Sequence, residues 1–229
     1  MKWLAILDMD GTILERRTVD ALCEKLGLAR RLKEIDSLSK SLKAYEVTAK
    51  IAQLFSGVKV SQMEEIFDAT SIVNGAKEFI DFLKPREFVT AIVTDSYVFL
   101  ASRLARKLGI DAVRGNELEF INSVATGEVI MPLGWENEKQ EHCQMKAVCK
   151  LHAMNDLIRK YSIQDNRTLA VGDSRNDSCI IQKARIGVAF RPKDESIVKV
   201  ADAVIRTDFY DLIGWLKAFL DRFDNYSSR

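Results

Sequence analysis

The sequence predicts an α/β protein: a Rossmann-like parallel sheet with helices on both faces, and an all-helical segment inserted after the first strand. Three observations carry this. The chain opens on an apolar run, Trp3-Leu4-Ala5-Ile6-Leu7, that ends in Asp8-Met9-Asp10-Gly11-Thr12. A short apolar run closed by turn residues suits a strand buried on both faces. From Gly75 onward β-rich runs alternate with helical stripes, the rhythm of a parallel sheet crossed over by helices. Between these two regions, residues 14–74 show helical periodicity and no strand-like run.

In order, Gly11 to Leu14 turns the chain into a polar patch, Glu15-Arg16-Arg17. Thr18 is the expected N-cap of a helix whose face carries Val19, Leu22, Cys23 and Leu26 and which Gly27 closes. Ile35, Leu38, Leu42, Tyr45, Ala49 and Ala52 form one stripe and predict a single long helix. Ser61 and Glu64 read as a capping box ahead of Ile66 and Phe67. Ala76, Phe79, Ile80 and Leu83 mark a helix stopped before Pro85. Phe88 to Val93 is a buried strand ending at Thr94-Asp95-Ser96, where Asp95 or Ser96 could cap the next helix or touch a ligand. That helix carries Ala101, Leu104, Ala105 and Leu108 and stops at Gly109, ahead of a short strand at Asp111 to Val113.

Leu118 to Val124 and Glu128 to Met131, parted by Thr126-Gly127, predict a hairpin within residues 118–131. A helix over 141–160 and the strand Thr168 to Val171 lead to Gly172-Asp173-Ser174-Arg175-Asn176-Asp177. A helix through Ile180, Ile181 and Ala184 follows, then strands at Ile186 to Ala189 and Ala203 to Ile205. The last helix carries Leu212, Trp215, Leu216, Phe219 and Leu220. The expected division is therefore a catalytic core of 1–13 and 75–229 with a helical cap of 14–74.

Composition narrows the function. With 34 Lys+Arg against 33 Asp+Glu the net charge is +1, so nothing electrostatic argues for nucleic acid or an anionic membrane as partner. The apolar runs are too short to span a bilayer and the first strand begins at once, so a cytoplasmic protein without a targeting segment is expected. Four cysteines are too few and too scattered for a disulfide framework, and Cys143, Cys149, His142 and His152 match no common zinc spacing.

Three strand-like runs end in polar residues, at Asp8/Asp10, at Thr94/Asp95/Ser96 and at Asp173/Asn176/Asp177. In a parallel sheet those ends share one edge, where ligands bind. Carboxylates so close together repel, and the repulsion is relieved by a divalent cation and a lysine. Hard oxygen donors of this kind suit Mg²⁺. Asp, Asp, Asp, a hydroxyl and a lysine are what metal-assisted phosphoryl transfer needs.

Asp8-Met9-Asp10-Gly11-Thr12 resembles the first motif of the haloacid dehalogenase superfamily, and Gly172-Asp173-Ser174-Arg175-Asn176-Asp177 its acidic motif. Thr94 stands where that family has a strand-end Ser/Thr. Motif order and the helical insertion resemble its phosphoserine-phosphatase-like branch. The resemblance implies a Mg²⁺-dependent phosphomonoester phosphatase acting on a small phosphorylated metabolite, with Asp8 as nucleophile and Asp10 as acid and base. It implies metal held by Asp8, the Asp10 carbonyl and Asp173, with Asp177 behind them, and phosphoryl oxygens held by Thr94. The family lysine falls to Lys150, or to Lys146 one turn earlier.

Substrate contacts are expected from Asp95, Asn176, Arg17 and Lys50. Phosphoserine phosphatases carry a glutamate nine positions after the nucleophile; Arg17 stands there and would favour a carboxylate or second phosphate over an ammonium. Thr94-Asp95-Ser96 is closer to the Ser-Asp-Thr of a phosphoserine:homoserine phosphotransferase, so transfer to an alcohol is the alternative to hydrolysis. A catalytically dead regulatory module is a further one. The sequence leaves the oligomeric state open.

Overall fold

A computed structural model describes residues 2–39, 41–131 and 147–227. Seven strands form one sheet: β1 (Trp3–Leu7), β2 (Phe88–Tyr97), β3 (Ala112–Ile121), β4 (Val124–Ile130), β5 (Thr168–Gly172), β6 (Ile186–Phe190) and β7 (Ala203–Ile205). Their spatial order is β4-β3-β2-β1-β5-β6-β7, and every pairing is parallel except β3 with β4. The chain runs outward from β1 on one side, then returns to β5 on the other. The β1/β5 junction is therefore the switch point at which such sheets open a crevice.

All five residues of β1 are buried, because both sheet faces are covered. Trp3, Ala5 and Leu7 point to one face, where Phe79 of α5 (Ala76–Leu83), Leu100 and Leu104 of α6 (Val98–Leu108) and Phe209 of α10 (Phe209–Ser227) pack. Leu4 and Ile6 point to the other, against Ala153 and Leu157 of α7 (Lys150–Tyr161) and Ile180 and Ile181 of α8 (Ser178–Lys183). Ile197 of the short α9 (Glu195–Val198) completes that face. Each fully buried aliphatic side chain of β1 contributes about 2 kcal/mol, which holds the strand end carrying Asp8 rigidly in place. No helix among the described residues is long and apolar enough to cross a membrane.

Between β1 and α5 the described residues hold four helices, α1 (Thr18–Lys25), α2 (Ala29–Leu38), α3 (Ala44–Leu54) and α4 (Val60–Asp68). The expected single helix over 35–52 is instead α2 and α3. Serines interrupt it: the Ser37 hydroxyl donates to Glu34 O and the Ser41 hydroxyl to Leu38 O, competing with the helical ladder. The Glu46 carboxylate then accepts from Lys43 N at 2.7 Å and starts α3 afresh. Ser61 is not a cap, for α4 begins at Val60, whose amide donates to Ser123 O at 2.9 Å. Thr18 is the first residue of α1 rather than its N-cap, and its hydroxyl is used elsewhere.

The hairpin also differs from expectation. Its turn is Asn122-Ser123, both at positive φ (51° and 62°), as a tight hairpin turn requires. Thr126-Gly127 lies inside β4, opposite the slip in register between Leu118 and Phe120. The strand expected at 111–113 is the start of β3, and the strand expected at 88–93 runs on to Tyr97. The expected helix over 141–160 begins only at Lys150: 147–149 are not helical, and 141–146, with His142, Cys143 and Lys146, lie outside the described residues. Cys149 precedes α7 and its sulfur accepts from His152 N at 3.4 Å.

Candidate active site

At the end of β1, Met9 O accepts from the amides of Ile13 and Leu14, at 3.0 and 2.9 Å, and this tight turn folds Asp8 and Asp10 over the sheet edge. Gly11 makes the turn possible: its φ is +91°, and a β-carbon there would collide with the Asp173 carboxylate. At the end of β5, Gly172 lies so close to the Asp177 side chain that a β-carbon would overlap it. Asp177 is fully buried and its Oδ2 accepts from Ser174 N and Ser174 Oγ, at 3.2 and 3.1 Å, which locks the turn after the strand.

These two strand ends converge. Carboxylate oxygens of Asp8, Asp173 and Asp177 lie within 4.8 Å of one another, and all three residues are buried. Lys150, the first residue of α7, is 2% exposed and donates to Asp8 Oδ1 at 2.5 Å and Asp177 Oδ1 at 2.6 Å. Of the two lysines expected here, Lys150 stands at the corner and Lys146 lies outside the described residues. A second ammonium, that of Lys193 in the loop after β6, stands 2.5 Å from Asp173 Oδ2.

Burial pushes the Asp8 carboxyl well above the usual range; Lys150 opposes the shift, and the Asp177 and Asp173 charges reinforce it. Burial likewise raises Asp173, with Lys193 opposing. Burial works against the Lys150 ammonium, but Asp177 and Asp8 outweigh it and hold its pKa well above the ordinary value. Three buried carboxylates against one buried ammonium leave a surplus of negative charge, which a low-dielectric site tolerates only with further cations. The donors are hard oxygens from three carboxylates within reach of one another, so the residues fit a divalent ion such as Mg²⁺.

Asp10 stands beside this corner and is partly exposed. Its Oδ1 accepts from Thr18 Oγ1 at 2.5 Å and Thr18 N at 3.1 Å, so Asp10 caps α1 from outside the helix. Burial pushes its carboxyl up to about 6, against the pull of the two Thr18 bonds. Thr94 is buried in β2, three residues before its end, and its hydroxyl accepts from Ser96 N at 3.0 Å. Asn176 donates to Asp95 Oδ2 at 3.1 Å, tying the β2 and β5 ends together, and Asn116 donates to Asp95 O at 2.7 Å. The α6 N-cap is Tyr97, without a side-chain bond, so Ser96 does not cap it. The buried hydroxyls of Thr12 and Ser96 have no hydrogen-bond partner among the described residues.

Above the corner lies a cavity of about 770 Å³. Its floor is Asp10, Asp95, Ser96, Arg175 and Asn176; its roof comes from α1 to α3 and includes Arg17, Ser39, Lys43 and Thr48 with Val19, Val47 and Ile51. Arg17 lines the cavity with its guanidinium forked onto Asp36, at 3.1 and 3.3 Å, and near Asp20. Lys50 is exposed on α3 and does not line the cavity; Lys43, in the break that the continuous-helix expectation hid, does. Lys193 and Thr18 were also missed. No spacing rule links Lys193 to the acidic motifs, and the threonine after Arg17 reads as an ordinary cap.

Fold and site define the class: a doubly covered parallel α/β protein with an acidic, lysine-braced centre at its switch point. Residues 5–181 match the haloacid dehalogenase-like hydrolase family, and the chain belongs to it. It is 30% identical over 218 residues to the phosphoserine phosphatase of Archaeoglobus fulgidus, covering 93% of this chain and 58% of that one. With the phosphoserine phosphatase of Idiomarina loihiensis it shares 28% over 221 residues, 93% of each. A solved substrate-bound phosphoserine phosphatase complex has the same fold at TM-score 0.78 and 24% identity, over 94% of this chain and 98% of the other.

Proposed function

We propose that this protein is a Mg²⁺-dependent phosphomonoester phosphatase that acts on a small phosphorylated metabolite through an aspartyl-phosphate on Asp8. Membership of a hydrolase family and relatives named as phosphoserine phosphatases support the class of phosphoric monoester hydrolase. The observation that carries the mechanism is the Lys150 ammonium bridging Asp8 and Asp177, with Asp173 within reach of both.

Asp8, the Asp10 carbonyl and Asp173 would hold the metal, with Asp177 behind them; when bound, the ion supplies Lewis-acid charge neutralisation to phosphoryl oxygens. Asp8 attacks phosphorus in line, forming an O–P bond as the bond to the leaving oxygen breaks. Lys150 favours the ionised form of the attacking carboxylate against the burial that raises its pKa, and fixes its direction. Asp10, protonated below about pH 6, gives its proton to the departing alkoxide. As a carboxylate it then takes a proton from the water that attacks phosphorus and releases Asp8. Thr94 and the backbone amides after Asp8 and Thr94 hold the phosphoryl oxygens, and the Thr12 and Ser96 hydroxyls, without a partner among the described residues, support a polar ligand at the same edge.

Residues 14–74 form the cap. They roof the cavity with Arg17 and Lys43, and no acidic residue of α1 to α3 lines it to meet an ammonium. A leaving group bearing a carboxylate or second phosphate fits this lining better than phosphoserine does. The test is hydrolysis of p-nitrophenyl phosphate and a phosphometabolite panel, with Mg²⁺ and with chelator. Turnover should need the metal and vanish in Asp8→Asn while circular dichroism stays unchanged; steady-state activity in that variant would remove Asp8 as nucleophile.

A further inference from the structure

Lys150 and Lys193 both face the acidic corner, but they are held differently. Lys150 is buried, paired to two carboxylates and fixed at a helix start. Lys193 is 54% exposed and meets one carboxylate, Asp173. Its backbone amide donates to Asp173 O at 2.8 Å, so the residue stays beside the corner while its side chain is free to swing out. The ammonium contact is close but poorly aligned: Asp173 Oδ2 gains an ion-pair partner without a well-formed hydrogen bond. A β-carbon on Gly11 would collide with both Lys193 Nζ and Asp173 Oδ2, so the glycine at this turn makes room for that ammonium as well as for the carboxylate.

Charge decides what Lys193 is for. Asp8, Asp173 and Asp177 together with Lys150 sum to two negative charges, which one divalent ion cancels and one ammonium only halves. The half-exposed pair to a single carboxylate is the replaceable member of the set. We propose that Lys193 is a tethered counter-cation of Asp173: it occupies the carboxylate in the metal-free protein, is displaced when a divalent metal binds, and thereby sets the metal affinity. This rests on the metal-dependent reading above and goes beyond it, since nothing in the catalytic steps requires Lys193.

Isothermal titration of the full-length protein with Mg²⁺ and with Mn²⁺ tests it without turnover. K193M removes both a competitor and a like charge, so its metal Kd should fall about five- to tenfold, while K193R, which keeps the charge, should bind as the unaltered protein does. In the unaltered protein, Mg²⁺ should release the amine and speed acylation of Lys193 by an amine-reactive reagent, read by peptide mass spectrometry. A K193M affinity equal to or weaker than that of the unaltered protein, or acylation indifferent to Mg²⁺, overturns the proposal while leaving the phosphatase intact. Unchanged metal binding with weakened inhibition by inorganic phosphate also overturns it and assigns Lys193 to the phosphoryl group. Absence of metal binding in every variant overturns this proposal and the metal-dependent reading together.

Discussion

Asp10 is the carboxyl group to which the proposed mechanism gives two tasks. Thr18 fixes its direction with two bonds, and burial lifts its pKa from the ordinary 3.8 to about 6, a value suited to a group that gives and then takes a proton. The sign is set by that rise. The acid form persists up to about pH 6 and is lost above it, so kcat/KM for esters of poorly acidic alcohols should fall about tenfold per unit above that point. The same rise means that Asp10 favours the fold at acid pH, a contribution lost as pH climbs through about 6. Asp10→Asn should flatten the rate profile and cost least for p-nitrophenyl phosphate, whose leaving group needs no proton; equal loss across leaving groups would count against the acid role. Arg17→Glu leaves Asp20 and Asp36 without their cation and puts a carboxylate into the cavity roof. It should move the kcat/KM ratio of amine-bearing over carboxylate-bearing phosphoesters up by about tenfold, and an unchanged ratio on a substrate panel would take Arg17 out of the contacts. Asp8, Asp10, Asp173 and Asp177 were legible because each sits one or a few residues beyond an apolar strand-like run. Lys193 was not, because only the fold of the loop after β6 brings it to them.

At the scale of elements, the end of β5 shows how backbone economy builds the corner. Gly172 is the last residue of the strand, and its missing side chain is the space into which Asp177 folds back to reach Lys150. Gly172→Ala forces a methyl group against a buried carboxylate. It should cost about 2 kcal/mol of stability in chemical denaturation, the scale of core overpacking, and should lower activity by displacing Asp177. An alanine variant as stable and active as the parent would show that the turn can rearrange freely. Where the chain alternates β-rich runs with stripes, elements were readable in order, because burial on both faces leaves each strand few residue choices. Two were not. The stripe from Ile35 to Ala52 keeps its period across the break between α2 and α3, since packing on the same neighbours survives a loop whose serines alone betray it. The hairpin turn was assigned to the glycine at 127, whereas Asn122 and Ser123 carry the positive φ angles.

On the scale of the whole molecule, the helical segment is tied to the sheet at a place the sequence does not announce. The chain between α3 and α4 pairs with β4: Gly57 N donates to Ala125 O and Ala125 N to Val58 O, both at 2.8 Å, and Val60 N donates to Ser123 O at 2.9 Å. A second tie lies where the segment leaves and rejoins the core, through Glu15 N to Ser71 O at 3.0 Å and Val73 N to Ile13 O at 2.8 Å. Both Ala125 groups face the helical segment, so this ladder is independent of the β3–β4 pairing, in which Ala125 stands opposite Phe120. If residues 14–74 act as a cap, the hairpin anchors one end of it, and closure must come from α1 to α3 bending about that anchor rather than from the segment lifting off whole. Amide exchange should then find Gly57, Val60 and Ala125 protected to nearly the level of β1. Ala125→Pro, which deletes one donor of the ladder, should release Gly57 and Val60 to fast exchange and raise KM more than it lowers kcat, because the cavity loses its fixed wall while the acidic corner is untouched. Fast exchange at Gly57 and Val60 in the unaltered protein would mean that the whole segment detaches, and closure would then have to be a rigid-body motion about the 15/71 and 13/73 ties alone.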